Sequence, residues 1–483
     1  MHFASVKERF LQAMGEGKRS EAAKSPDRLC FHLMPPVGWL NDPNGLCQND
    51  GTYHIYYQFA PENPEGTGKK GWGHYSTKNW IDYQEEPVAL FPETLLDEGG
   101  VYSGSALVCD DGAIRYFYTG NRKLPGNYDY INEGRQHWTI RVDSEDAVHL
   151  GNRTTLLKNS DYPEDLSCHV RDPKVWKEDG QYRMVLGART KDSRGKVLIY
   201  KSEDLDNWNL ENEIIGDTDY GYMWECPDLL ELDGHQFLLT CLQGQPQQGV
   251  EFENLYPSGY FIVDGTPSDD QPMKAHDFRA LDHGFDFYAP QTFIDESGRR
   301  ILVGWMGLPD VDYKNRETES GWQHALTLPR RLSVKDGKLL QYPIEEIFTL
   351  EERDQTQNLM LKPDQPVILP GPVCEIQLKP QTENWNLELR KDVTLCCKAG
   401  LVTLSMKESG FGRQVRRART GQVDSIDIFS DTSSLEIFIN HGEAVFTTRV
   451  YDSQKDLHLE STEAMEARIV PFRTFTITQS EED

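Results

Sequence analysis

The chain has 483 residues, with 78 Asp and Glu against 50 Lys and Arg, a formal net charge of −28, and 11% aromatic residues. At roughly 150 residues per domain this predicts two or three domains whose cores need no disulfide or metal staple, and the aromatic share excludes a disordered chain. So negative a surface repels phosphate backbones and anionic lipid, which argues against nucleic-acid and membrane partners and for a neutral or locally steered small molecule.

The N-terminus, MHFASVKERFLQAMGEGKRS, is charged throughout and lacks the apolar stretch of a secretory signal. No apolar run approaches the roughly 18 residues of a membrane-spanning helix. Nine scattered cysteines without a C-x-x-C pair fit reduced thiols. Together these features lead us to expect a cytoplasmic protein. Val6, Phe10, Leu11 and Met14 share one face at helical period, which predicts one short amphipathic helix in an N-terminal segment, residues 1–25.

After Pro26 the pattern changes to short aromatic and β-branched runs broken by Gly, Asp, Asn and Pro, an all-β signature. A strand, a tight turn and a second strand recur five times: LCQNDGTYHIYYQF, ALVCDDGAIRYFYTG, KVWKEDGQYRMVLGA, LLELDGHQFLLTC and TFIDESGRRILVGW. Their turn glycines, Gly51, Gly112, Gly180, Gly234 and Gly298, are spaced by 61, 68, 54 and 64 residues. That spacing suits a four-stranded sheet per repeat, so residues 26–342 read as a five-bladed β-propeller. Gly265 and Gly337 lie off the spacing and read as outer-strand turns or a closing strand.

Around residue 340 the repeat ends. PIEEIFTLEERD, residues 343–354, reads as a linker helix with Pro343 in its first turn and Ile344, Ile347 and Phe348 on one face. Alternating strands then follow (TLSMK, SIDIF, SLEIFIN, AVFTTRV, TFTIT), with Asn440-His441-Gly442 as a hairpin turn. Residues 355–483 therefore read as a β-sandwich.

Nine residues before each turn glycine stand Asp42, Ser103, Arg171, Glu225 and Ala289, and Asp172 follows Arg171. If the repeats are blades, equal offsets bring these residues to one height around a central axis. Each motif taken alone has a plain structural reading: Asn-Asp-Pro-Asn-Gly as a turn, Arg-Asp as a surface ion pair, and a lone Glu as part of the frame. Taken together they suit glycoside hydrolysis, which uses one protonated and one ionised carboxyl. Glu225 lies between Trp224 and Cys226 in MWECPDLL, and apolar neighbours would raise its pKa and suit it to be the acid. Asp42, in WLNDPNG, suits the ionised role. Asp172, beside Arg171 in HVRDPKVW, suits binding of sugar hydroxyls.

WLNDPNG, the Arg-Asp-Pro of HVRDPKVW and the Glu-Cys of MWECPDLL resemble the three signatures of glycoside hydrolase family 32, which includes invertases and sucrose-6-phosphate hydrolases. Supporting matches run the length of the chain: YYQF, GWGHYS, YSGSALV, DFYAPQTF, GWQHALTLPRRL and SLEIFINHGEAVFTTRVY. The resemblance implies a propeller followed by a β-sandwich, and a β-fructofuranosidase that retains configuration through a covalent fructosyl intermediate. The implied substrate is sucrose, its 6-phosphate or a short fructo-oligosaccharide, with no cofactor and no metal. By motif, Asp42 becomes the nucleophile, Glu225 the acid and then the base, and Asp172 the stabiliser of the transition state. Asn41, Gln58, Tyr102, Ser103 and Arg171 resemble fructose-pocket residues, and Trp72 and Trp305 its aromatic walls. A transfructosylase on the same scaffold and a non-catalytic sugar-binding propeller are the alternatives.

One stretch departs from the family pattern. Where many relatives carry a Trp-Gly pair shortly before the W-G-H segment, this chain has Gly66-Thr67-Gly68-Lys69-Lys70-Gly71. An aromatic wall is therefore expected to be missing. Lys69 and Lys70 read as solvated loop lysines, with contact to a substrate phosphate as the alternative. The same stretch spells G-x-G-x-x-G, but it follows a Pro-containing loop and precedes no helix pattern, which excludes a dinucleotide fingerprint.

Overall fold

Five four-stranded antiparallel sheets follow one another along residues 38–343, four of them made of consecutive strands and the fifth interrupted between its second and third, in a computed structural model that describes residues 5–452 and 456–480. The five hairpins expected from the repeat each join the first and second strands of a sheet: Asn49 pairs with Thr52, Val108 with Ile114, Glu178 with Gln181, Leu232 with His235, and Ile294 with Arg300. Three of them are two-residue Asp-Gly turns with both residues at positive φ: Asp50-Gly51, Asp179-Gly180 and Asp233-Gly234. That turn matches the right-handed twist of the strands it joins. Gly265 and Gly337 sit in the turns between third and fourth strands, as outer-strand turns should.

The first strand of each sheet is the innermost, and the inner strands are stitched to one another both between neighbours and across the axis. Asn44 Oδ1 accepts from Gly104 N–H at 3.0 Å, Ser105 Oγ donates to the Pro173 carbonyl at 2.8 Å, and Gln291 Nε2 donates to the Gly104 carbonyl at 3.0 Å. The sheets are the blades of a five-bladed propeller. The ring closes where Trp322–Gln323, from the long excursion inside blade 5, pairs in parallel with Gly38–Trp39 of blade 1.

Beyond the propeller, two six-stranded sheets form a β-sandwich. Burial alternates along its strands, as in Trp385–Leu389 and Leu401–Met406, so one face of each sheet supplies a core that includes Leu387, Leu395, Leu404, Ile428 and Ile437. Asn440, His441 and Gly442 all have positive φ, in the expected hairpin turn.

Three elements differ from expectation. The single N-terminal helix is two eight-residue helices, Val6–Ala13 and Glu16–Ala23, interrupted at Met14 and Gly15. Gly15 takes an extended ψ, and a glycine there gives the helix little reason to continue. Phe10 of the first helix is buried edge-on against Phe59 and Phe91, so the pair of helices covers blade 1. Pro343 ends the last strand of blade 5 instead of starting a helix, and the linker is two 3₁₀ segments, Glu345–Leu350 and Arg353–Gln355. Ile344, Ile347 and Leu350 are all buried, and a period of three is that of a 3₁₀ turn. Finally, the strand expected in TFTIT, Thr476–Gln479, leaves the sandwich and pairs in parallel with Asp82–Glu85 at the outer edge of blade 1. Among the described residues no helix is long and apolar enough to cross a membrane.

Candidate active site

Every inner strand carries a β-bulge at the same place. The pairing slips between Leu40 and Pro43, Val101 and Gly104, Arg171 and Lys174, Glu225 and Asp228, and Tyr288 and Gln291. In four blades the bulge ends in proline (Pro43, Pro173, Pro227, Pro290), which has no N–H to give to a ladder and is tolerated where the ladder is already broken. A bulge re-aims side chains, so two successive residues per blade address the axis instead of one. One ring consists of Asn41, Tyr102, Arg171, Glu225 and Tyr288. The next consists of Asp42, Ser103, Asp172, Cys226 and Ala289. Asp172, Cys226 and Ala289 hold φ of 66°, 50° and 47°, a left-handed conformation that is costly for residues with a Cβ. The equal count from the turn glycines mixes the two rings: in blades 3 and 4 Asp172 and Cys226, not Arg171 and Glu225, stand in register with Asp42 and Ser103.

The two rings meet in one hydrogen-bonded cluster. Asp42 Oδ1 accepts from Asn41 Nδ2 at 2.9 Å and Oδ2 accepts from Ser103 Oγ at 2.5 Å. Gln58 Nε2 donates to the Val101 carbonyl at 3.1 Å and lies 3.4 Å from Ser103 Oγ, with its Oε1 buried and unpartnered. Asp172 Oδ2 accepts from the Cys226 N–H at 3.0 Å, and the Cys226 thiol lies 3.8 Å from both Asp42 Oδ2 and Asp172 Oδ2. Arg171 Nε is 3.8 Å from Asp172 and 3.0 Å from Glu225 Oε1, which Nη2 also reaches at 2.6 Å. Glu225 Oε2 accepts from Gln243 Nε2 at 2.7 Å and from Tyr288 OH at 2.5 Å. Asp42, Asp172 and Glu225, from three different blades, therefore share one network through Cys226 and Arg171.

The electrostatics are unsettled at the floor of this funnel. Asp42 keeps part of its surface open but is surrounded by protein, and that burial pushes its carboxyl up; the bonds from Ser103 and Asn41 pull the other way. Burial also pushes Asp172 up, to about 7, against the opposing charge of Arg171 and with help from Glu225. The surroundings of Glu225 are not the apolar sleeve expected from its sequence neighbours. Trp224 turns the other way and stacks on Phe261 inside blade 4 with ring centroids 4.8 Å apart, and Cys226 turns to Asp172. Neighbours in a strand point to opposite faces, so the groups that touch Glu225 are Arg171, Gln243 and Tyr288.

Residues 32–343 match the model of the glycosyl hydrolases family 32 N-terminal domain, and residues 396–479 match that of the family 32 C-terminal domain. The chain belongs to glycosyl hydrolase family 32. It is 37% identical over 458 residues to a sucrose-6-phosphate hydrolase of Bacillus subtilis, covering 90% of this chain and 91% of the relative. Among solved structures it is similar to the sucrose-6-phosphate hydrolase of Lactobacillus gasseri, with a TM-score of 0.86 at 26% identity, covering 98% of this chain and 100% of that one. It is also similar to a family 32 β-fructofuranosidase of Bombyx mori, with a TM-score of 0.84 at 30% identity, covering 98% and 99% of the two chains.

Other residues expected at the site fall in different places. Tyr102 is partly exposed, in the ring of Arg171 and Glu225, and its ring faces His137. Trp305 stands behind the site, 2% exposed, edge-on to Tyr288 and Trp39, with a buried Nε1 that has no partner. Trp72, expected at an aromatic wall, is instead 0% exposed. It fills the core between blades 1 and 2 against Tyr56, Tyr116 and Tyr118 and donates to the Tyr102 carbonyl at 3.3 Å, because a large ring one blade-layer from the axis is most stable in the dry seam. In the stretch that departs from the family pattern, the loop packs instead on Trp39. Its Nε1 donates to Asn41 Oδ1 at 2.7 Å, and Gly66 lies so flat on the indole that a Cβ there would fall 2.4 Å from it. Lys70 is no solvated loop lysine: its Nζ sits 5.0 Å from the Trp39 ring centroid, and burial lowers its pKa against the pull of Asp42 and Asp310.

Tyr288 and Gln243 escaped the sequence reading. The signal for Tyr288 was present: it precedes Ala289-Pro290 as Arg171 precedes Asp172-Pro173 and Asn41 precedes Asp42-Pro43. Gln243, at the end of a second strand, carries no such mark. Among the described residues no group of His, Cys, Asp and Glu is arranged to hold a metal ion.

Proposed function

We propose that the chain is a β-fructofuranosidase acting on sucrose-type substrates, including the phosphorylated sugar for which its relatives are named. The observation that carries the reading is the single network joining Asp42, Asp172 and Glu225 through Arg171 and Cys226.

Asp42 is the nucleophile. Its carboxylate attacks the anomeric carbon of the fructosyl unit while Glu225, entering the step protonated, gives its proton to the bridging oxygen. The glucosyl part leaves with that proton, and fructose stays esterified to Asp42. Glu225, now ionised, takes a proton from water as the water attacks the same carbon, which frees Asp42 and restores the acid. Two inversions give net retention. Ser103 and Asn41 hold both oxygens of Asp42 and fix its angle of attack. Asp172 accepts from fructose hydroxyls, whose bonds to it strengthen as the ring becomes oxocarbenium-like. Asn41, Gln58, Tyr102, Ser103 and Arg171 bind the fructosyl unit, and Trp39 and Trp305 shape the wall beside it. Tyr288 and Gln243 orient Glu225.

The test is hydrolysis of sucrose and sucrose 6-phosphate followed by NMR at early time. The expected result is release of the β-anomer of fructofuranose first. First release of the α-anomer, or no hydrolysis of either sugar, would overturn the reading.

A further inference from the structure

Three guanidinium groups converge on His169 at the blade 2–blade 3 side of the funnel. Arg171 Nη1 donates to His169 Nδ1 at 2.8 Å, and His169 Nε2 donates to the Tyr130 carbonyl at 3.0 Å, so the ring is a neutral spacer. Burial, then Arg171, Arg135 and Arg189, lower its pKa to about 3. Only Arg171 has a carboxylate partner. Arg135 donates Nη1 to Asn121 Oδ1 at 2.9 Å and Nε to the Tyr130 carbonyl at 3.2 Å. Arg189 donates Nη2 to Ser193 Oγ at 3.0 Å, lies 4.4 Å over the Tyr222 ring, and leaves a buried Nε without a partner.

Among the described residues of blades 2 and 3, the other arginines meet a carboxylate within ion-pair distance: Arg115, Arg122, Arg141, Arg153, Arg183 and Arg194. Within blades 2 and 3, in a chain with 78 acidic residues against 50 basic ones, Arg135 and Arg189 are thus two partly buried arginines, both acting on His169, that meet no carboxylate. They also stand in a telling place. Arg171 pairs with Gly187, and Arg189 lies two residues further along that strand, on the side from which the inner strand enters the funnel. Arg135 opens the third strand of blade 2 at the same end, opposite Lys123. Both reach the Arg171–Glu225 pair by way of His169, which accepts from Arg171, and so lie on the side of the site toward which a sugar leaving the floor would extend. Lys70, another cation near the floor, lies over the Trp39 ring and feels the pull of Asp42 and Asp310, so its charge is directed to the floor itself.

We propose that Arg135 and Arg189 form a subsite that receives a phosphomonoester carried by the leaving sugar. This rests on the fructosidase reading above and adds where the phosphorylated substrate is recognised. A guanidinium presents paired donors that match phosphate oxygens, and a local cationic patch steers a dianion toward a chain that is otherwise repulsive to it.

The test compares kcat/KM for sucrose and sucrose 6-phosphate in the wild type and in the Arg135→Gln, Arg189→Gln and Lys70→Met variants. The wild type should prefer the phosphorylated sugar, and added salt should shrink that preference. Arg135→Gln and Arg189→Gln should each lower kcat/KM for sucrose 6-phosphate by about 10-fold or more, chiefly through KM, from the loss of a charge-assisted bond. Turnover of sucrose should stay within about 2-fold, which also reports an intact fold. An equal fall on both sugars, no change on either, or a preference erased by Lys70→Met alone overturns the subsite. A wild type that cleaves sucrose without preferring its phosphate overturns the subsite and leaves the fructosidase reading standing. A wild type that cleaves neither overturns both.

Discussion

Buried charge is concentrated in two regions, the funnel floor and the seam between propeller and sandwich, and the two are balanced differently. In the seam, His32 bridges Asp431 at 2.8 Å and Glu436 at 2.9 Å, and Arg330 of blade 5 reaches Glu436 at 2.5 Å. The N–H groups of Cys30 and Phe31 complete Asp431, and that of Leu328 completes Glu436. Burial alone would raise both carboxyls, yet these partners bring them below their usual range, and the same partners raise His32 although burial opposes it. His32, Asp431 and Glu436 are each answered, while Asp282, on the far side of Arg330, is pushed up by burial to about 6 despite Arg330 and Thr447. In the funnel, Asp42 and Asp172 are both pushed up, because burial there outweighs the hydrogen bonds supplied. The seam is organised to hold two domains in one arrangement. In the funnel Glu225 is met by Arg171, Gln243 and Tyr288, whereas Asp42 and Asp172 are short of partners, and in the proposed function a sugar supplies the missing ones.

The largest expected effect breaks the funnel alone. Asp42→Asn or Glu225→Gln should lower turnover by at least ~10²–10⁴-fold with the circular-dichroism spectrum unchanged. Retention of more than a tenth of the wild-type rate would remove that residue from the chemistry. The seam should respond in stability instead. Glu436→Gln leaves Arg330 and His32 without their shared carboxylate and should cost about 3–5 kcal/mol of unfolding free energy, with kcat near wild type while the protein is folded. A kcat that falls in step with stability would mean the two regions are not separable. Tyr288→Phe should be milder: loss of one bond to Glu225 should lower kcat/KM by about 10–100-fold and leave the thermal midpoint in place.

The smallest effect distinguishes the two regions by pH. Asp172 is raised from the ordinary ~3.9 to about 7, so the folded state binds more protons than the unfolded one in between, and its contribution to stability falls as pH rises across that window. Asp172→Asn should therefore raise the thermal midpoint more at about pH 8 than at about pH 4. His32 has the same direction of shift but gains from being charged: its contribution is complete below the ordinary ~6.5 and is lost as pH rises through its higher folded value. A gain for Asp172→Asn that is equal at both pH values would contradict the account of the funnel.

Much of this architecture was legible in the sequence because it rests on local chemistry. Asp-Gly pairs dictate tight hairpins, and their recurrence gave the five blades without any long-range information. The gathering of Asp42, Asp172 and Glu225 followed from that repeat. What stayed hidden depends on partners distant in sequence. Period and turn residues do not reveal that Trp72 fills a seam between blades while Trp39 bonds Asn41 under Gly66 and Lys70, since both sit in strands with aromatic neighbours. The strand Thr476–Gln479 reads like any sandwich strand, and its pairing with Asp82–Glu85 is a contact across nearly the whole chain. The one-residue slip between the two rings came from bulges, which carry a mark only where proline follows.

The most direct test is intact-mass and peptide mapping of the Glu225→Gln protein mixed with β-D-fructofuranosyl fluoride, a substrate whose leaving group needs no acid. Without a base to activate water, the covalent intermediate should accumulate, and the account predicts one fructosyl adduct on the peptide that carries Asp42. Rapid turnover with no adduct, or an adduct on any other residue, would contradict it.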